Sequence, residues 1–476
     1  MVDIIIFGTG HGAEVFVNQL DKNRTNIVAF LDNNNEKIGT YFYGKKIYNP
    51  NNISTLSYDY IIIASQFLTP IYSQLLELGI RPDKIIPIYY EMLLKQHEQR
   101  YEQILGGLLY FKDNNRVKNK ISLVSINNSG CNSKALAHYI PIEFQNKFII
   151  NLLAQNEVDN ENSDVVVNTH RNTSVRANKI NIELWHGFPI KGMFRMDRNR
   201  NPENTGPFEN WKYAHGIASY SPLFTTLLNA CFPTTIDQYY ITGMPRNDHL
   251  YHSNGLKKLK KLLPEMNSTS YKLCYMPTFR MRKTYSSEDL CEGVRPWNQL
   301  FNFNDYDAEE LSSYLEKKNI TLFLKIHPAE EKQYTEIVKD MLGTRVFLIT
   351  NEMLTEHNID MYETLNAFDA LITDYSSVFF DYLLLDRPII FTPTDFEEYN
   401  KKRGLLLEPY SFWTPGDHVV TQKDFFKAVE DSFKNPDKHS QQRKVIRDLV
   451  HTYQDGNSSR RVWEMINQIV SERAQL

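Results

Sequence analysis

The segment Leu371-Ile-Thr-Asp-Tyr-Ser-Ser-Val-Phe-Phe-Asp-Tyr-Leu-Leu-Leu-Asp-Arg-Pro-Ile-Ile-Phe391 constrains the fold more than any other stretch of the chain. Residues 370–373 are a short apolar run, residues 378–385 are apolar on nearly every face, and Pro388 closes that stretch before a second apolar run. The pattern predicts strand, turn, buried helix and strand, the repeating unit of a parallel sheet covered by helices. Ser376 and Ser377 fall where the helix begins. Backbone N–H groups there have no intrahelical partner, and with the positive end of the helix dipole they suit a phosphate group. The same serines would equally serve as a plain N-cap.

A chain of 476 residues exceeds one ordinary core, and roughly two to four domains are expected. The formal net charge of −4 gives no global reason to expect nucleic acid as a partner, so any anion recognition must be local. Cys131, Cys231, Cys274 and Cys291 show no metal-type spacing, which predicts a reducing cytoplasmic setting and no disulfide scaffold. No run approaches the roughly 18 apolar residues of a membrane span. The N-terminus runs directly into Ile4-Ile-Ile-Phe7, so a signal peptide is not expected either.

Residues 1–90 read as a doubly wound unit. Ile4-Ile-Ile-Phe7 is a strand, Gly8-Thr-Gly-His-Gly-Ala13 opens a helix, and Ile27-Val-Ala-Phe-Leu31 ends at Asp32, where a ribose-binding acid belongs. Gly8 and Gly10 would then approach a cofactor; the alternative is that they serve tight strand-to-helix packing. Residues 91–120 read as a helical linker ending in a polar run. Strands then alternate with helical segments in two sets, over 121–260 and 261–435, and 436–476 reads as a C-terminal helix. Two consecutive parallel α/β domains place ligands in the cleft between them.

Trp185-His-Gly-Phe-Pro189 follows the alternating run Ile180-Asn-Ile-Glu-Leu184, so His186 lies at a strand's C-terminal end. An imidazole there could take a proton from an attacking hydroxyl. His327-Pro328 ends a second run, Leu322-Phe-Leu-Lys-Ile326, and suits a donor to a phosphoryl group. Arg246 and Arg280 are cations just past predicted strands, and a guanidinium matches a diphosphate with two parallel hydrogen bonds. Asp305-Tyr-Asp307 imitates a metal-binding Asp-x-Asp but reads as a polar loop. Leu256-Lys-Lys-Leu-Lys-Lys-Leu-Leu263 reads as a solvated helix face, with anionic lipid headgroups as the alternative partner. No metal-ligand cluster is visible, and fixed protein charges are expected in its place.

Together the motifs resemble the CDP-glycerol glycerophosphotransferase family, the polymerases and primases of teichoic-acid-like polymers. The matching residues are Trp185-His186-Gly187, Pro189 and Lys191; Gly243 with Pro245-Arg246-Asn247-Asp248; Pro277-Thr278-Phe279-Arg280; His327-Pro328; Thr373-Asp374-Tyr375-Ser376-Ser377 through Asp381; and Arg403-Gly404 with Pro415-Gly416. The resemblance implies an α/β fold, a glycosyltransferase-B-like pair of Rossmann-type domains with the acceptor side first and the CDP-donor side second. It implies His186 and His327 as catalytic residues, and Arg246, Pro277, Thr278, Arg280, Thr373, Asp374, Ser376, Ser377, Glu398 and Arg403 around the donor. The implied donor is CDP-glycerol or CDP-ribitol, with no further cofactor and no metal. The implied acceptor is a hydroxyl of a lipid-linked or polymeric glycan in teichoic-acid-like, capsule or O-antigen synthesis, with release of CMP. Such a protein would work in the cytoplasm, at the inner membrane surface, with oligomerisation open and no nucleic-acid partner. Phe188 departs from the family, which commonly has a threonine there, so acceptor identity transfers less well than donor class.

The first 90 residues lie outside that match. Their glycine turn, Phe30-Leu31-Asp32, Lys37-Ile38-Gly39 and Tyr60-Ile-Ile-Ile-Ala-Ser65 resemble the small Rossmann-type domain of several bacterial polysaccharide-synthesis proteins, which implies a surface-polysaccharide pathway without naming a ligand; the glycine turn and the acid make Gly8, Gly10 and Asp32 the candidate nucleotide site. A nucleotide-sugar glycosyltransferase of the same fold, and a non-catalytic nucleotide-binding protein, remain the alternatives at this point.

Overall fold

The computed structural model describes residues 1–88, 97–109, 119–126, 129–154, 157, 163–170, 179–198, 214–282, 290–291, 299–343 and 345–474. The chain divides into two compact units, residues 1–117 and the bulk of 118–474.

In the first unit six strands, β1 (Val2–Phe7), β2 (Thr25–Leu31), β3 (Tyr41–Phe42), β4 (Lys45–Tyr48), β5 (Tyr60–Ile63) and β6 (Ile85–Pro87), form one sheet in the order β3-β4-β2-β1-β5-β6. All pairings are parallel except β3 with β4. Ile4, Ile5, Ile6, Ile61, Ile62 and Ile63 are buried, as near-continuous apolar strands in a covered parallel sheet must be. Because β1 lies between β2 and β5, the chain leaves it in opposite directions and a crevice opens at its C-terminal end. The helix Glu98–Leu108, expected within a linker, instead belongs to this core: Tyr101, Leu105 and Leu108 form a buried stripe, and Thr25 Oγ1 donates to the Leu108 carbonyl at 3.2 Å. Residues 91–96 and 110–118 of the expected linker lie outside the described residues.

The second unit holds two six-stranded parallel sheets. The first comprises β7 (Lys120–Ser125), β8 (Ile149–Ala154), β9 (Val165–Asn168), β10 (Ile180–Glu183), β11 (Gly216–Ser219) and β12 (Tyr239–Ile241), ordered β12-β11-β10-β9-β7-β8. The second is built from β13 (Tyr271–Tyr275), followed after a two-residue antiparallel ribbon of β14 (Met281–Arg282) and β15 (Leu290–Cys291) by β16 (Ile320–Leu324), β17 (Val346–Leu348), β18 (Ala370–Thr373), β19 (Ile389–Phe391) and β20 (Asp417–His418). Its order is β17-β16-β13-β18-β19-β20. This is the expected pair of Rossmann-type sheets, but one apolar cluster serves both, running from Ile182 and Phe224 to Phe379 and Phe380.

The single C-terminal helix expected over 436–476 is two helices, Ser440–Val450 and Ser458–Ala474. Gly456 sits between them at φ +68°, and a Cβ there would stand 2.8 Å from the Tyr251 side chain. The Asp248 carboxylate accepts from the Ser458 and Ser459 N–H groups at 2.9 and 2.7 Å, capping the second helix. That helix returns to the first sheet: Trp463 Nε1 donates to the Leu136 carbonyl at 3.2 Å, and a Cβ on Gly216 of β11 would meet Ile469 at 2.6 Å.

Candidate active site

β13, β16 and β18 are adjacent and parallel, so the loops that follow them meet at one sheet edge. They bring Pro277, Thr278 and Phe279, then His327, then Ser376 and Ser377 into one cleft, which also receives His186 from the loop after β10. The cleft encloses about 430 Å³.

Trp185 is left-handed, at φ +56°, and this turns the chain sharply after the strand. His186 Nδ1 lies 3.0 Å from the Thr169 carbonyl. A carbonyl only accepts, so Nδ1 carries the proton and the lone pair of the neutral ring is on Nε2. Two side chains fix the loop backbone: Asn132 Nδ2 donates to the Trp185 carbonyl at 2.8 Å, and Arg246 Nη1 to the His186 carbonyl at 2.6 Å. Burial, followed by the facing imidazole of His170, holds His186 well below the ordinary histidine value. Gly187 permits a close approach, because a Cβ there would stand 2.6 Å from Ser377 Oγ.

His327 lies flat on Phe279, ring centroids 4.1 Å apart, and burial followed by Lys325 lowers its pKa. At neutral pH the ring is therefore mostly uncharged and carries one N–H donor. The cation beside it is Lys325, which donates to the Ile326 carbonyl at 2.9 Å and pairs with Glu331 at 3.1 Å. Phe188 is buried against Phe380, ring centroids 4.5 Å apart, and fills core space.

Several expected donor contacts are placed elsewhere. Arg280 is 2% exposed and is enclosed by Asp374 at 2.8 Å and Asp395 at 3.0 Å. Arg246 pairs with the fully buried Asp381 at 2.6 Å, which also accepts from Tyr220, Tyr362 and Asn247. A buried guanidinium must be neutralised, and here carboxylates distant in sequence do it, so neither arginine lines the cleft. Asp374 accepts from the Thr278 and Tyr375 N–H groups at 2.7 and 2.6 Å, and Thr373 Oγ1 donates to the Met276 carbonyl at 2.7 Å. Both hold the strand-end loops. Glu398 pairs with Lys402 at 2.6 Å and Arg403 with Asp197 at 3.2 Å, and neither lines the cleft.

Sequence reading missed His170, whose ring stacks on His186 at 4.0 Å, and it missed Lys325. The available signal was the end of the Val165-Val-Val-Asn168 run, which the sheet order sets beside β10. Asp305 and Asp307 are capping and turn residues: Asp305 accepts from the Gln422 N–H at 2.8 Å and Asp307 from the Glu310 N–H at 2.9 Å. Among the described residues, no group of three His, Cys, Asp or Glu side chains is arranged around a metal position.

The first unit carries a separate crevice of about 1010 Å³ at the ends of β1 and β5, lined by Gly8, Thr9, Gly10, Asp32 and Lys37 among others. Gly8 is at φ +111°, where a Cβ would stand 3.0 Å from the Ala64 carbonyl, whereas Gly10 borders open space. Asp32 accepts from the Thr9 hydroxyl and, at 2.9 Å, from the Asn34 N–H, and faces Lys37 Nζ at 3.7 Å.

Residues 123–468, spanning both sheets of the second unit, match the CDP-glycerol:poly(glycerophosphate) glycerophosphotransferase family. The chain belongs to this family. As a glycerophosphotransferase-family member it is a transferase of polyol phosphate from a CDP-linked donor, as the ordered motifs led us to expect. Residues 1–86 match a second family, described as C2185-like, N-terminal. Similar proteins include the teichoic acid ribitol-phosphate primase of Bacillus spizizenii, 27% identical over 312 residues that cover 63% of this chain and 72% of the relative. The teichoic acid glycerol-phosphate transferase of Staphylococcus aureus is 26% identical over 302 residues, 60% of this chain and 70% of the relative. The solved wall teichoic acid polymerase TagF superposes with a TM-score of 0.60 at 21% identity, covering 81% of this chain and all of that one, which establishes a shared fold. No helix among the described residues of this transferase is long and apolar enough to cross a membrane.

Proposed function

We propose that this transferase moves glycerol phosphate or ribitol phosphate from its CDP-activated form to a hydroxyl of a lipid-linked or polymeric glycan of the teichoic-acid type. The acceptor oxygen attacks the distal phosphorus in line, the new O–P bond forms, and the bond from that phosphorus to the bridging oxygen breaks, releasing CMP. His186 Nε2 receives the hydroxyl proton. The His327 N–H and the donors of Ser376 and Ser377 meet the phosphoryl oxygens, with Lys325 supplying positive charge nearby. The observation that carries this reading is the contact from His186 Nδ1 to the Thr169 carbonyl, which leaves the basic nitrogen of a cleft-lining ring free for the acceptor. Arg246, Arg280, Thr373 and Asp374 position these groups without touching the donor.

Residues 121–260 serve the acceptor side and 261–435 the donor side in this reading. The crevice of the first unit takes a nucleotide, with Asp32 at the ribose. A lipid-linked acceptor brings the enzyme to the cytoplasmic membrane face, where Lys257, Lys260 and Lys261, all exposed on the helix Gly255–Leu262, meet anionic headgroups. The test is to incubate the purified protein with CDP-glycerol, CDP-ribitol and UDP- and GDP-sugars, each with a panel of glycan acceptors. CMP release from one CDP-polyol is expected; release of UDP or GDP alone would contradict the reading.

A further inference from the structure

β9 and β10 are neighbouring parallel strands, with Asn168 opposite Glu183, so the residues after them emerge at one sheet edge. Continued in register, His170 would face Trp185. The left-handed turn at Trp185 displaces the next residue, and His186 lies face to face with His170, ring centroids 4.0 Å apart and planes within 4°. Thr169, fully buried, contacts both histidines: its carbonyl meets His186 Nδ1 at 3.0 Å and its hydroxyl meets His170 Nδ1 at 2.8 Å. His170 does not line the cleft, so it is placed to act on the base and not on substrate.

We propose that His170 is a positioning residue for the phosphoryl transfer, holding the His186 ring with Nε2 toward the acceptor hydroxyl and requiring both rings to be neutral before the proton moves. This rests on the assignment of His186 as the base. A face-to-face imidazole limits rotation of the His186 ring about its side-chain bonds, which one hydrogen bond to a carbonyl does not. It also makes charge on either ring costly to the other, because two like charges would sit about one ring thickness apart. Besides each other, the charged groups facing the pair among the described residues are Arg246, against both rings, and Lys191, against His186. Both are cations and act in the same direction. During transfer the hydroxyl proton passes to Nε2, the O–P bond forms and the P–O bond to CMP breaks; His170 gains and loses nothing.

The experiment compares kcat, KM for the CDP-polyol and the pH dependence of kcat/KM for the wild type, His170→Phe, His170→Ala and His186→Ala, with thermal unfolding as the fold control. His170→Phe keeps a flat ring of similar size and removes the titrating group. His170→Ala should lower kcat by about 5- to 50-fold, a fraction of the roughly 10²- to 10⁴-fold that a general base supplies, with donor KM little changed. Its acid limb should rise toward the ordinary histidine value of about 6.5, because water reaches the exposed face of His186. His170→Phe should retain most of kcat and show a smaller rise of the limb. Wild-type rate and an unmoved limb in both His170 variants, beside an inactive His186→Ala, would overturn the proposal and leave the base intact. An active, folded His186→Ala would instead overturn the base assignment, and the role of His170 with it.

Discussion

Arg246 joins the two halves of the second unit to the reactive loop: one terminal nitrogen donates to the His186 carbonyl at 2.6 Å while the other pairs with Asp381, also at 2.6 Å. The guanidinium comes from the first-sheet half and the carboxylate from the helix after β18, Val378–Tyr382. Removing the arginine strands a buried carboxylate, so Arg246→Ala should cost about 3–5 kcal/mol in denaturant unfolding. In whatever fraction stays folded, kcat should fall with donor affinity kept, because Arg246 supports the base and does not line the cleft. A loss confined to donor affinity would return Arg246 to direct phosphate binding.

Gly187 offers a second test, since a Cβ there would stand 2.6 Å from Ser377 Oγ and 3.4 Å from Arg246 Nη2. A serine hydroxyl can rotate away, so Gly187→Ala should leave stability within about 1 kcal/mol of the wild type and weaken binding of CDP-polyol. In a Ser377→Ala background the same change should do much less. Equal effects in both backgrounds, read by calorimetry with the donor, would show that the hydroxyl is not the group displaced.

Acid should destabilise the fold over a defined window. Burial, followed by the charge of Arg473, brings His215 down to about 3, and burial, followed by Arg246, brings His170 down to about 4. A histidine whose folded pKa is depressed binds fewer protons folded than unfolded, so its cost is absent above the unfolded value of about 6.5 and grows as pH falls. Stability should decline between about pH 6.5 and 4 by up to about 1.4 kcal/mol per pH unit for each such group. His215→Asn should flatten that slope in urea unfolding series; an unchanged slope would remove His215 as a cause.

The first unit has its own sheet and core, and a chain beginning near residue 118 should fold and retain transfer. The isolated first unit should bind a nucleotide in calorimetry against NAD, UDP-sugars and CDP-glycerol, and Asp32→Ala should weaken that binding by about 1–3 kcal/mol. No binding to any of them would leave Gly8 with a packing role only.

Strands such as β1, β10, β13, β16 and β18 were readable because long β-branched and aromatic runs have few alternatives in a covered parallel sheet. Shorter strands escaped: Gly216-Ile-Ala-Ser219 is recognisable as a strand only once Ile182 and Tyr239 pair on either side of it, and Tyr239-Tyr-Ile241 is a partly exposed edge. In the site, His186, His327, Ser376 and Ser377 were legible because strand-end position is a local property. Whether an arginine faces the cleft is not local. Arg246 and Arg280 are withdrawn by Asp381 and Asp395, 135 and 115 residues away in sequence, and no spacing rule reports that. His170 depended likewise on the pairing of β9 with β10 and on one left-handed residue.

In the proposed transfer, His186 Nε2 takes the acceptor proton. The direct measurement is the rate of CMP release by wild type and His186→Ala at saturating CDP-polyol and acceptor, beside calorimetric binding of the donor to each. Turnover should fall by about 10²- to 10⁴-fold with donor affinity nearly unchanged. Near-normal CMP release by a folded His186→Ala protein would exclude His186 as the base.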